Sequence, residues 1–181
     1  MNIRRAAESD FGTMWPIFQA VIAPGTTYVF AAETSYNDAL AYWFAPGVTS
    51  YVAESDGQVM GMYKLVANQR DLGSHVANAS FMVNPNCSGK GLGRIMGLHC
   101  LCEAKKAGYL AMQFNFVVGT NEAAVALWQK LGFSIVGTLP KPSCTGIWDM
   151  LTPTSCTAFL MTYKSKEFAK HFLVQRWPQT A

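Results

Sequence analysis

Charge is scarce in this chain. Asp, Glu, Lys and Arg together make up 14% of its 181 residues, where a soluble domain usually carries about a quarter, and they leave a net charge of only +3. A balance that small, scattered along the sequence, excludes the clustered basic stripe expected of a nucleic-acid-binding protein. No acidic cluster is present to attract a polycation. Cysteine forms no even framework: five cysteines without a signal peptide read as reduced thiols of a cytoplasmic protein. Cys100 and Cys102 stand two apart on a predicted helix, where side chains diverge by about 200°, so they cannot clamp a metal together, and no metal site is expected. No apolar run approaches the roughly 20 residues that span a bilayer, which argues against a membrane partner. Repeats, low-complexity tracts and linkers are missing as well, so residues 1–181 are expected to form one domain. Apolar residues, by contrast, reach 50%. Part of the exterior should therefore be uncharged and aromatic, which suits a self-association surface, as in a homodimer, or a greasy substrate groove.

The order of elements predicts an α/β (α+β) fold with a mixed, mostly antiparallel sheet flanked by helices. Asn2 to Arg5 reads as a strand. Ser9-Asp10 then cap a helix with Phe11, Met14, Trp15, Phe18 and Ile22 at helical spacing. Thr34 or Ser35 opens a second helix that Pro46-Gly47 closes, and the aromatic stretch Gly25 to Glu33 lies between the two. Tyr51 to Glu54 and Val59 to Val66 flank Ser55-Asp56-Gly57, a hairpin signal, because Asp-Gly tolerates the positive φ of a tight turn. His75 to Val83 completes an antiparallel run. A helix from Gly91 to Ala107 and a strand from Leu110 to Val118 follow, giving a parallel βαβ unit inside the sheet. Thr120 is expected to cap a short helix to Leu131. Strands at Phe133 to Thr138 and Thr157 to Tyr163 then enclose a long loop, Lys141 to Ser155.

The chemistry concentrates where the His75 to Val83 strand meets the Gly91 helix. The run Val83-Asn84-Pro85-Asn86-Cys87-Ser88-Gly89-Lys90-Gly91-Leu92-Gly93-Arg94 reads as a phosphate cradle. Glycines let the backbone approach an anion, helix N-terminal N–H groups point at it, and Lys90 and Arg94 add positive charge. A P-loop is excluded, since Lys90 is followed by Gly91 rather than Ser or Thr, and the dinucleotide fingerprint fails because its third glycine would fall at Met96.

With this spacing the chain resembles the GCN5-related N-acetyltransferase (GNAT) superfamily. Val83, Pro85, Gly91, Leu92 and Gly93 match its acetyl-coenzyme A loop, and Asn121-Glu122-Ala123-Ala124 with Leu127-Trp128-Gln129-Lys130-Leu131-Gly132-Phe133 match a second block. The resemblance implies direct transfer of an acetyl group from acetyl-coenzyme A to an amine, without a metal or covalent nucleophile. It places the cofactor on Met82, Val83, Ser88, Gly89, Lys90, Gly91, Leu92, Gly93, Arg94, Asn121 and Trp128, with the backbone at Met82 and Val83 polarising the thioester carbonyl. Asn121 is equally suited to cap its helix. The wording Asn68-Gln69, His75 to Ser80 and Met112 to Asn115 resembles the branch that includes fungal acetyltransferases of toxic proline analogues, which implies a small amino-acid-like amine as acceptor.

Three positions depart from the family pattern. Ser88 replaces the usual Gln or Arg. Trp128 replaces a tyrosine that many relatives use as general acid, and indole does not ionise at useful pH, so Trp128 should pack. The strand before the cradle lacks a glutamate base, which leaves Glu33 and His75 as candidate bases. Asn78 and Ser80 share one strand face, and Gln113 and Asn115 another. Asn78 and Asn115 are expected either to bind the acceptor or to satisfy the backbone where the strands splay. Tyr28, Phe30, Tyr63 and Trp148 are candidate acceptor-pocket aromatics. The same departures fit an alternative, a coenzyme A-binding sensor or assembly module with little turnover.

Overall fold

The structure, a computed structural model, describes residues 1–140 and 157–164. The predicted 141–155 loop, with Trp148, lies outside the described residues. Seven strands, β1 (Asn2–Arg5), β2 (Thr49–Ser55), β3 (Gln58–Ala67), β4 (Val76–Val83), β5 (Ala111–Val118), β6 (Ser134–Pro140) and β7 (Thr157–Lys164), form one sheet in the order β1-β2-β3-β4-β5-β7-β6. Every neighbouring pair is antiparallel except β4 and β5. That parallel pair carries the helix α3 (Leu92–Lys106) as its crossover, the βαβ unit the sequence predicts.

Alternation along the strands separates two cores. Val52, Met62 and Met82 face α1 (Phe11–Ile22) and α2 (Tyr36–Phe44), where Phe11, Met14, Phe18 and Trp43 are wholly buried. Tyr51, Tyr63, Ala79, Met112 and Phe114 face α3 and α4 (Glu122–Lys130), packing on Met96, Cys100, Ala104 and Trp128. The β2–β3 hairpin turns at Asp56 and Gly57 with φ of 52° and 76°, the positive angles its sequence predicts.

Two caps differ from expectation. Asp10 does not cap α1: a 3-10 turn at Glu8–Asp10 precedes the helix, and the Asp10 carboxylate accepts the Ala7 N–H at 2.8 Å and pairs with Arg4 at 2.8 Å. Asn121, not Thr120, caps α4, accepting the Ala124 N–H at 3.2 Å, while the Thr120 hydroxyl donates to the Thr26 carbonyl at 3.2 Å. Ser35 caps α2, accepting the Asp38 N–H at 3.1 Å.

The register of β4 and β5 positions the site. They pair only at Val76 with Ala111 and Ala77 with Met112. Beyond those residues the two strands part, while β5 stays paired along its other edge with β7, from Ala111 to Val118, through a bulge between Phe114 and Val117.

Candidate active site

The cradle is built from backbone. After β4, the Asn84 side chain accepts the Asn86 N–H at 3.0 Å and turns the chain. Gly89 and Gly91 follow with φ of 77° and 78°, a region that costs L side chains roughly 1–2 kcal/mol. No side chain caps α3, and the first backbone donor with a helical partner is Ile95, to the Gly91 carbonyl at 3.2 Å. The N–H groups of Leu92, Gly93 and Arg94 therefore point out of the helix end with the positive end of its dipole. Ser88, Lys90 and Arg94 surround them, all exposed. Gly93 has a second role: a Cβ there would stand 3.1 Å from Leu127 Cδ2, and one at Gly97 only 2.7 Å from Leu131 Cδ1, so both glycines let α3 and α4 pack closely.

The parting of β4 and β5 opens a cavity of about 360 Å³. Hydrogen bonds at the two ends of β4, from Asn84 N–H to Met60 O at 2.8 Å and from Asn68 N–H to Val76 O at 2.7 Å, fix which backbone groups face β3. By the antiparallel alternation, those of Asn78, Ser80 and Met82 turn toward β3, and those of Ala79, Phe81 and Val83 toward the cavity. The Ala79 N–H donates to Asn78 Oδ1 at 2.8 Å. Phe81 is closed by Tyr28, which accepts its N–H at 2.9 Å and donates to its carbonyl at 2.7 Å. Val83 thus carries the next N–H on that edge of β4, directly before the cradle and just beyond the residues that line the cavity. Met82, expected to share that task, has its N–H on the β3 edge and its side chain buried on the α1 side.

Side chains close the cavity with aromatic surface. Trp128 packs on Phe81 and Phe114, with ring centroids 4.7 and 4.8 Å apart. Tyr28, Phe30 and Tyr42 line the opposite wall, and burial raises the Tyr28 phenol well above its ordinary range. Asn78 and Asn115 both border the cavity. Asn78 Oδ1 is engaged by the strand backbone, as above, while Asn115 Nδ2 donates to Asn68 Oδ1 at 2.7 Å and Asn115 Oδ1 accepts from Gln113 at 3.0 Å. Asn121 borders it too, beside its capping bond.

The candidate bases lie elsewhere. His75 precedes β4 at the end where the strands still meet: its carbonyl accepts the Leu110 N–H at 2.8 Å, and Nδ1 lies 2.9 Å from the Leu72 carbonyl. Glu33 is exposed on the loop between α1 and α2 and does not line the cavity. Among the described residues no carboxylate or imidazole does. Tyr63 is also misplaced by the sequence reading; it is fully buried on the α3 face, with its hydroxyl 2.6 Å from His99 Nδ1.

Sequence reasoning missed a polar trio on the α2 side. The Tyr42 hydroxyl stands 2.5 Å from Ser80 Oγ, which opens on the cavity. Behind it Lys64 donates to the Tyr42 carbonyl at 2.9 Å and places Nζ 3.0 Å from the centroid of the Tyr42 ring. Lys64 is 7% exposed, the one buried charged residue among those described, and burial pulls its pKa down to about 7. A single lysine inside the apolar Val59 to Val66 run was the available signal.

Comparison with known proteins fits this geometry. The acetyltransferase (GNAT) family model matches residues 15–133, most of the chain, and the chain belongs to that family, the N-acetyltransferases with acetyl-coenzyme A as donor. It is 26% identical to the N-acetyltransferase aca1 of Schizosaccharomyces pombe over 132 residues, which span 64% of this chain and 63% of that protein. It is 28% identical to the L-amino acid N-acyltransferase MnaT of Escherichia coli over 147 residues, 78% of this chain and 84% of that one. Among solved structures, a GCN5-related N-acetyltransferase from Kribbella flavida superposes with a TM-score of 0.79 at 32% identity, covering 90% of this chain and 96% of its own. The acetyltransferase yncA from Salmonella typhimurium, solved with acetyl-coenzyme A, shares the fold with a TM-score of 0.78 at 22% identity, covering 91% and 94%. Among the described residues no group of three or more His, Cys, Asp or Glu could hold a metal, and no helix is long and apolar enough to cross a membrane.

Proposed function

We propose that the protein transfers the acetyl group of acetyl-coenzyme A directly to the amine of a small, amino-acid-like molecule in the cytoplasm. The observation that carries this reading is the continuity of three features. An uncapped helix end stands at the cradle, Val83 carries the adjacent N–H on the edge of β4 that β5 leaves unpaired, and the cavity between β4 and β5 follows from Phe81. The pyrophosphate rests on the Leu92, Gly93 and Arg94 amides with Lys90 and Arg94 at its edge, and Ser88 adds a short hydroxyl in place of a long side chain. The pantetheine arm follows the exposed β4 edge past Asn121, and the Val83 N–H polarises the thioester carbonyl. The acceptor enters on the side of Tyr28, Asn78, Ser80 and Asn115, where its amine meets the thioester carbon. The amine proton passes to water held by these polar groups, and the thiolate leaves without an acid from Trp128, a thiolate being a good leaving group. The name of the relative MnaT, an L-amino acid N-acyltransferase, supports an amino-acid-like acceptor.

The coenzyme A-sensor alternative keeps one observation in its favour: among the described residues, no carboxylate or imidazole lines the cavity. A panel of amines and amino-acid analogues with thiol detection separates the two. Transfer predicts amine-dependent release of free coenzyme A, and binding of the cofactor with no release above background would favour the sensor.

A further inference from the structure

Among the described residues, Lys64 is a buried cation without a counter-anion. It stands on β3 between Ser50 of β2 and Ser80 of β4, its register partners. α1, which covers this side of the sheet, carries no ionisable residue. α2 contributes Tyr42, while its Asp38 is exposed in the first turn, bonded to Ser35 at the far end. Among the described residues that line the cavity, the other titratable side chain, Tyr28, is held on the Phe81 backbone. The lysine does cap the last turn of α2 through the Tyr42 carbonyl, a role that helix-end carbonyls welcome, but a carbonyl does not neutralise a charge taken out of water. One aromatic ring separates that charge from Ser80 and the cavity.

We propose that Lys64 selects acceptors that carry a carboxylate, its positive charge acting through the Tyr42–Ser80 pair on an anion placed beside Ser80 and Asn78. The inference rests on the acetyl-transfer reading for the word acceptor, and it names the acceptor's second functional group. Lys64 is a positioning residue: it does not line the cavity, and the direct contacts to the anion come from the Ser80 hydroxyl and Asn78 Nδ2. The carboxylate supplies the counter-anion that the described residues do not provide, so its binding favours the ammonium form of Lys64. With the lysine's pKa drawn down to about 7 in the free protein, affinity for the anion falls as pH rises above neutrality and a proton is taken up on binding.

The test uses coenzyme A-loaded protein and two aromatic probes without an amine, 3-phenylpropanoate and its primary amide, measured by calorimetry. The acid is ionised throughout the range used, so its own titration does not interfere. At pH 6 the carboxylate should bind at least tenfold more tightly than the amide, and at pH 8.5 the difference should shrink below threefold. Measured in two buffers near neutrality, carboxylate binding should show proton uptake. Lys64→Met should abolish the preference at pH 6 while leaving amide affinity unchanged. Equal affinities at pH 6, binding of neither probe, or a preference that survives both pH 8.5 and Lys64→Met would overturn the proposal. A lowered melting temperature with selectivity intact would reduce Lys64 to a helix cap. If Lys64→Met does not fold, the wild-type pH series decides alone. These are binding measurements, so they stay readable even if no amine is ever acetylated.

Discussion

Asn78 and Asn115 border the same cavity but stand in different hydrogen-bond settings, and this separates their predicted mutant behaviour. Asn78 Oδ1 takes the Ala79 N–H that β5 would satisfy if the strands stayed paired. Removing it leaves a backbone donor without its partner, at a cost of about 1–3 kcal/mol, so Asn78→Ala should lower the melting temperature by several degrees and raise the acceptor KM. Asn115 is exposed, and its side chain bonds to the side-chain amides of Gln113 and Asn68. Asn115→Ala should leave the melt unchanged and act on the acceptor KM alone. Thermal melts beside steady-state kinetics check both; equal loss of stability and cofactor affinity in both variants would remove them from the acceptor site. Trp128 sits among Phe81, Phe114 and Phe133 and packs there, so Trp128→Phe should keep kcat within about tenfold, or roughly 1.4 kcal/mol. A loss of several orders of magnitude in a folded variant would mean that the indole takes part in the chemistry.

At the scale of elements, the cradle divides into parts that hold shape and parts that hold charge. Gly91 precedes α3 at φ 78° with nothing within 4 Å of a Cβ there, so Gly91→Ala is strained by backbone conformation and should lower both stability and coenzyme A affinity. Lys90 and Arg94 are exposed. Lys90→Glu and Arg94→Glu should therefore weaken coenzyme A by about tenfold each, flatten the salt dependence of binding and leave the melt unchanged. Unchanged affinity in either charge variant would show that the phosphates lie elsewhere. These elements were legible in the sequence because their causes are local: positive φ at Asp56, Gly57, Gly89 and Gly91, the Ser35 cap, and apolar spacing along α1. What escaped was set by distant partners. Which β4 donors face the cavity depends on register with β3, so Val83 and Met82 could not be told apart. Tyr28 reaches Phe81 across 53 residues of chain, and Lys64 meets Tyr42 only after β3 and α2 have packed.

Across the whole molecule, buried titratable groups predict how stability follows pH. Burial lowers the pKa of His99, set against the Tyr63 hydroxyl, and takes Lys64 from an ordinary 10.5 to about 7. In both cases the unfolded chain holds more protons over the interval between its own pKa and the folded one, so stability rises with pH there. The His99 contribution is lost as pH falls below about 6.5, the unfolded value, and that of Lys64 is lost progressively from 10.5 down to 7. Opposing them, burial raises the pKa of Tyr63 and Cys100, so their contributions are lost as pH climbs past the unfolded values of about 10 and 8.5. The melting temperature should therefore climb from pH 6 to about 8.5 and fall again above about pH 10, and Lys64→Met should flatten the climb above pH 7. A wild-type melt that falls steadily from pH 6 to 8.5 would contradict this balance.

Binding of the thioester at the open edge of β4 is tested most directly by the backbone amides themselves. In nitrogen–proton correlation spectra titrated with acetyl-coenzyme A, the amides of Val83, Leu92, Gly93 and Arg94 should move together, at one affinity. The Phe81 amide, already held by Tyr28, and the Met82 amide, turned toward β3, should move far less. Shifts confined to other elements, or a Val83 amide that stays still while the cradle amides move, would contradict the site.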